Sequence, residues 1–185
     1  MSLRTRPWFA AFATTLTLLT TACGGIMENP YNHTDEEIAD AAAILPTRPT
    51  LEVTEAEITA AVLQIADAAG AIAPELRWEW KRERSQSSCG GAFGKTDGRE
   101  VDLPNYVSAV PIPDTAWPAV LQAARDILTP LGITNLTVYV DKPGDHDVIF
   151  TSDDGRHVDL GTKVAALVSA GTGCRLPAAH TGPTP

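Results

Sequence analysis

The feature that most limits the fold is a change of hydrophobic period at residue 76. Upstream, Ile58, Val62, Ile65, Ala69 and Ile72 recur at spacings of four and three, one stripe of a helix. Downstream, LRWEWKRE (76–83) alternates. Leu76, Trp78 and Trp80 fall on one side and Arg77, Glu79 and Lys81 on the other, the period of a half-buried strand. Separate blocks with these two periods point to a helix stripe buried against one face of a sheet.

The remaining segments extend that reading. Thr34 and Glu37 have capping-box spacing and open a short helix, TDEEIADAAAIL, which PTRPT at 46–50 ends. A second such pair, Thr54 and Glu57, is expected to open the longer helix. Residues 85–104 are rich in Ser, Gly and charge and read as a long loop, and YVSAVPI (106–112) reads as a strand limited by Pro111 and Pro113, near a sheet edge or at a strand end. Asp114 is expected to cap a helix whose stripe is Trp117, Leu121, Ala124, Leu128 and Leu131, with Gly132 at its C-terminal end. LTVYV (136–140), VIFT (148–151), HVDL (157–160) and VAALV (164–168) follow as strands, with Asp154-Gly155 marking a hairpin. The expected architecture is α+β and two-layer, with an antiparallel sheet of about five strands packed against two or three helices.

The N-terminus bears on where the chain folds. Residues 1–22 carry Arg4 and Arg6, then a mostly apolar uncharged run, then Thr20, Thr21 and Ala22. This is the pattern of an export signal, and the run is too short to span a bilayer comfortably. With Cys23 next, it resembles a bacterial lipoprotein signal, in which the cysteine thiol receives diacylglycerol. Thr20 stands where such signals usually carry leucine, and Leu19 lies one place earlier. The alternative is a secreted protein with a free cysteine near its N-terminus. Two or three acyl chains at ~0.8 kcal/mol per buried methylene would hold the protein durably. Residues 23–33 then form a lipidated tether, 34–176 a single domain and 177–185 a disordered tail.

Cys23 aside, two cysteines remain, Cys89 and Cys174, an even pair in an oxidising compartment. Pairing is the favoured reading, and a reactive nucleophile at one of them is the alternative. A bridge over that separation would contribute up to roughly 4–5 kcal/mol through the unfolded chain. Arg4 and Arg6 are the only charged residues before Cys23. A chain starting there keeps 12 basic residues against 23 acidic ones, a formal charge of −11. That balance argues against nucleic acid and against electrostatic docking on anionic lipid.

Four features in order resemble the LppA-type lipoproteins of mycobacteria and related actinobacteria, a family without an assigned activity. They are the signal ending at Cys23, the Trp-containing strand leading to Cys89, the amphipathic helix 114–131, and DGRHVDL running into GTGCRL. The resemblance spans most of the mature domain. It implies a surface lipoprotein of a mycobacterial-type envelope and a Cys89–Cys174 bridge, and it supplies no catalytic residue.

Sites of chemistry are sparse. DKPGDHDVIFTSDDGRHVD gathers Asp141, Asp145, Asp147, Asp153, Asp154 and Asp159 with His146 and His157. A divalent metal is conceivable there, but EF-hand and HExxH spacings are lacking, and turns attract Asp for local reasons. GxSxG, SxxK and a phosphate loop are also lacking. KRER (81–84) reads as a solvated strand end. Trp78 and Trp80 either fill the core or line a ligand surface. The expectation is therefore a non-enzymatic lipoprotein on the extracytoplasmic face of the cell membrane. It would bind a protein or an apolar lipid ligand, without cofactor or metal. The rival is an envelope hydrolase or transferase using His146 or His157 with nearby carboxylates.

Overall fold

The computed structural model describes residues 32–180. The signal peptide, Cys23 and most of the expected tether lie outside these residues, as does the end of the expected tail. Helix α1 (Asp35–Ile44) begins as its capping box predicts. The Thr34 hydroxyl accepts from the Glu37 N–H at 3.2 Å, and the Glu37 carboxylate accepts from the Thr34 N–H at 2.7 Å.

Helix α2 (Leu51–Ile72) starts one turn earlier than expected. Its cap is Thr50, whose hydroxyl accepts from the Val53 N–H, and Thr54 lies inside the helix with its side chain buried. The earlier start brings Leu51 into the core above Ile58, Val62 and Ile65. Apolar burial thus decides between two available caps. Helix α3 (Trp117–Leu128) also lacks the expected cap. Ala116 takes the N-cap position, and Asp114 turns to the neighbouring hairpin. The buried stripe of α3 is Trp117, Val120, Ala124 and Leu128.

The sheet has eight antiparallel strands rather than about five. They are β1 (Trp78–Lys81), β2 (Ser85–Ser88), β3 (Arg99–Asp102), β4 (Asn105–Ser108), β5 (Asn135–Lys142), β6 (Asp145–Thr151), β7 (His157–Thr162) and β8 (Ala166–Gly171). Their order is β1-β4-β8-β7-β6-β5, with the β2–β3 hairpin beside the far end of β8. The extra strands come from the segment 85–104, expected as a loop. Its strands are SQSS and REVD, in which only Val101 is buried. They are held by backbone pairing and by Ser85 and Ser87 donating to Asp102 and Glu100, so no apolar alternation announces them. The last strand is also displaced from the expected 164–168, and Val164 stays exposed in the turn before it.

Helix α2 packs on α3, β8 and β3, closing a core that contains Val148, Phe150, Val158, Leu160, Val168 and Ala170. Strand β7 shows the two faces. Val158, Leu160 and Thr162 are buried toward the helices, while His157, Asp159 and Gly161 remain partly exposed on the other, open face. At the C-terminus Ala178–His180 form a short 3-10 turn within the expected tail, tied by the Ala178 N–H to Glu52 at 2.9 Å.

Candidate functional site

The two tryptophans sit on the edge strand. Pairing of β1 with β4 sets Trp80 opposite Tyr106 and Trp78 opposite Ser108, on the helix-covered side. Trp78 stacks on Tyr106 at 5.8 Å between ring centroids, and Trp80 meets the same ring at 4.3 Å. Trp78 packs against the core, whereas Trp80 is 39% exposed. The result is an aromatic shelf, one end in the core and the other in solvent.

His146 and His157 do not form one site. His146 pairs with Thr162 on the buried face, and His157 projects from the open face. The His146 ring is buried and stacks on Trp117 at 4.7 Å with a 9° tilt. Its Nδ1 lies 2.7 Å from Asp141 and its Nε2 3.1 Å from Asp114. Both ring nitrogens thus lie within hydrogen-bonding distance of a carboxylate oxygen. Asp114 also accepts from the Gly144 N–H at 2.8 Å. That bond first, and the one from His146 next, holds its carboxyl below the usual range. The cluster fastens the β5–β6 turn to the start of α3.

The other acidic residues disperse. Asp145 pairs with Lys163 and Lys142, Asp153 accepts from Asn135, and Asp154 pairs with Arg156 and Arg175. Among the described residues no three His, Cys, Asp or Glu side chains are grouped to hold a metal ion. Of the KRER run, Lys81 pairs with Glu79, and Arg84 pairs with Glu55 of α2 at 2.8 Å.

His157 borders a polar hollow of about 270 Å³ on the open face, shared with Arg82, Glu83, Ser85, Asp102, Asn105 and Ser169. Gly171 makes room for its ring, since a Cβ there would come within 2.3 Å of His157 Cε1. Nearby, burial pushes the Asp159 carboxyl up, with Asp147 adding to the effect and His157 and Ser169 opposing it.

Cys89 and Cys174 form a disulfide with Cα atoms 5.5 Å apart. Neither sulfur is therefore a free nucleophile. The bridge packs with Leu45, Phe93 and Leu176, over Gly98, where a Cβ would come within 2.4 Å of Cys174 Sγ.

The family model of LppA, described as a lipoprotein confined to pathogenic Mycobacterium, matches residues 27–178. The chain belongs to the LppA family. The crystal structure of LppA from Mycobacterium tuberculosis is similar in fold, with a TM-score of 0.63 at 14% identity, covering 81% of this chain and 90% of that one. A DUF4853 family protein from Actinomyces odontolyticus gives a TM-score of 0.48 at 14% identity, covering 84% of this chain and 73% of that one. No curated protein matches the chain.

In this LppA-family domain a buried, many-partnered arginine was not singled out by sequence. Arg175, next to Cys174, is fully buried. It donates to the Thr54 hydroxyl and to the carbonyls of Asp154 and Cys174, and pairs with the Asp154 carboxylate at 2.8 Å. Arginine at that position gives no local sign of burial. Only the disulfide beside it and the Asp-Gly turn that meets it in space explain the position. The hollow was equally hidden, because its residues come from five strands and one bend.

Proposed function

We propose that the protein is a non-enzymatic envelope lipoprotein, held on the outer face of the membrane by acyl chains on Cys23. Its domain binds a protein or apolar ligand through the shelf of Trp78, Tyr106 and Trp80. Membership of a lipoprotein family and the signal-like residues 1–22 support the anchor. Among the described residues no helix is long and apolar enough to cross a membrane, so a lipid at Cys23 is the attachment on which the reading rests. The observation that carries the binding half is Trp80, an exposed indole already ordered against a second ring. Aromatic groups fixed in this way lose little conformational freedom on binding.

The hydrolase reading loses support from geometry. His146 has both nitrogens occupied by carboxylates, and His157 lies on the opposite face.

Intact-mass analysis of membrane-extracted protein tests the anchor. A diacylglyceryl-modified Cys23 at the new N-terminus is expected, with Cys23→Ala released from the membrane fraction. An unmodified N-terminus would overturn it. Photo-crosslinking in cells from position 80, against a probe at Tyr139, tests the shelf. A product specific to position 80 supports binding there, and identical patterns from both positions would remove it.

A further inference from the structure

The hollow on the open face of the sheet arises from an irregularity in one hairpin. Lys81 pairs with Asn105 and Ser85 with Asp102, so three residues (82–84) stand opposite two (103 and 104). The extra residue is absorbed at Arg82, with φ of 63°, the one non-glycine residue with positive φ among those described. Such a conformation is strained for a residue with a Cβ and persists only where its surroundings hold it. Here it bends the β1–β2 segment and opens the space that Arg82, Glu83, Asp102, Asn105, His157 and Ser169 surround.

The chemistry of the lining is selective. No hydrogen bond or ion pair ties the side chains of Arg82, Glu83 or Asn105 to any described residue. Donors and acceptors are therefore free on both sides of one small space. An anion would meet Glu83 and Asp102. A metal ion would find no group of three ligands and would face the Arg82 charge. An apolar ligand would bury charged groups unpaired. A peptide strand needs a free sheet edge or a long groove, whereas this hollow lies over strands paired with their neighbours. What remains is a small neutral ligand whose groups both donate and accept. Hydroxyls do so, and a pair on adjacent carbons can bridge a carboxylate and a guanidinium. At about 270 Å³ the space is at the small end for ligand pockets and suits a single ring.

We propose that this hollow binds a saccharide ring, with Arg82 and Asn105 donating to its hydroxyl oxygens and Asp102 and Glu83 accepting from its hydroxyl hydrogens. The His157 ring, backed by Gly171, forms one wall. This site is independent of the aromatic shelf, which lies on the other face of the sheet.

The test is saturation-transfer NMR on the full-length protein in detergent micelles, with glucose, galactose, mannose, arabinose and N-acetylglucosamine as probes. Inorganic phosphate and glycylglycine represent the anionic and peptide classes. At least one sugar should show transfer and perturb the His157 ring resonances. Arg82→Ala and Asn105→Ala should each weaken its binding about tenfold, the loss of one or two hydrogen bonds to charged or amide groups. Circular dichroism checks folding. If Arg82→Ala unfolds, Asn105→Ala, which leaves the bend intact, still decides. Trp80→Ala should leave sugar binding unchanged, which separates failure here from failure of the shelf. Absence of transfer from all five sugars would overturn the proposal, and so would equal transfer in both variants or displacement of the sugar by phosphate or glycylglycine.

Discussion

The two halves of the sheet are built on different principles. Strands β5 to β8 form a meander, and the inner residues of β6 to β8, Val148, Phe150, Val158, Leu160 and Val168, are all almost fully buried. Strands β1 to β4 form one bent hairpin with a fully exposed β2, polar cross-strand pairs, a three-against-two bulge and a disulfide near its tip. The meander is held chiefly by apolar burial, and the hairpin by a covalent link and the backbone ladder, with Val101, Leu103 and Trp78 as its apolar footing on the core. Its tip can therefore be polar and irregular without the fold being lost, and the irregularity is what opens the hollow. Arg175 joins the halves, following the disulfide while pairing with Asp154 at the β6–β7 turn.

The largest expected effect comes from cutting that join. In Asp154→Ala the Arg175 guanidinium remains buried without its counter-charge. Breaking a buried pair in this way costs about 3–5 kcal/mol, read as a lower urea midpoint. The pair also predicts acid sensitivity. Burial works to raise the Asp154 pKa, but hydrogen bonds from Ser152 and Arg156 and the charges of Arg175 and Arg156 hold it well below the usual carboxylate range. A lowered folded pKa contributes stability that is present above the unfolded value and lost as pH falls through the folded one. Stability should thus decline below about pH 4, and Asp154→Asn should flatten that decline. An unchanged acid limb in Asp154→Asn would sink the assignment.

Removing the disulfide should separate the halves next. Cys89→Ala with Cys174→Ala releases a link across 85 positions and should cost about 2–5 kcal/mol. Amide exchange should quicken most in residues 85–102, with the centres of β6 and β7 still protected. Equal acceleration throughout would mean that the sheet opens as one unit, with no difference in stability between its halves.

The same contrast explains what could be read from sequence. The α1 capping box, most of the α2 and α3 stripes and strands β5 to β7 were legible because apolar period and turn chemistry coincide there. Ile72 is exposed at the end of α2, Val120 is buried in α3 where Leu121 was expected, and β8 is shifted toward Gly171. Strands β2 and β3 were not, because their residues face solvent and their pairing is set by partners distant in sequence. Thr54 and Asp114 looked like caps and instead serve Arg175 and the Gly144–His146 cluster, contacts that no local rule contains. Cys89 and Cys174 were legible as a pair, while the hollow exists only through register.

Within the meander, His146→Ala should have a smaller and local effect. It removes a buried ring stacked on Trp117 and two bonds to carboxylates, at about 1–3 kcal/mol. Carboxyl titration by NMR should show the Asp114 pKa rising toward its ordinary value. It should stay somewhat below that value, because the Gly144 N–H, the larger cause, is still in place. No change at Asp114 would show that the ring contributes little to the fastening.

The smallest effect is expected at the hairpin's outer edge and is the most useful for function. Trp80→Ala removes a ring that is 39% exposed and touches Tyr106, so stability should change by within about 1 kcal/mol. Trp78→Ala should cost more, since that ring packs against the core. A residue that folding hardly needs, held in place by one that folding does need, is suited to contact with a partner. Thermal unfolding of the two variants side by side checks the ranking. Equal and large losses would make Trp80 a core residue and leave the shelf without an exposed end.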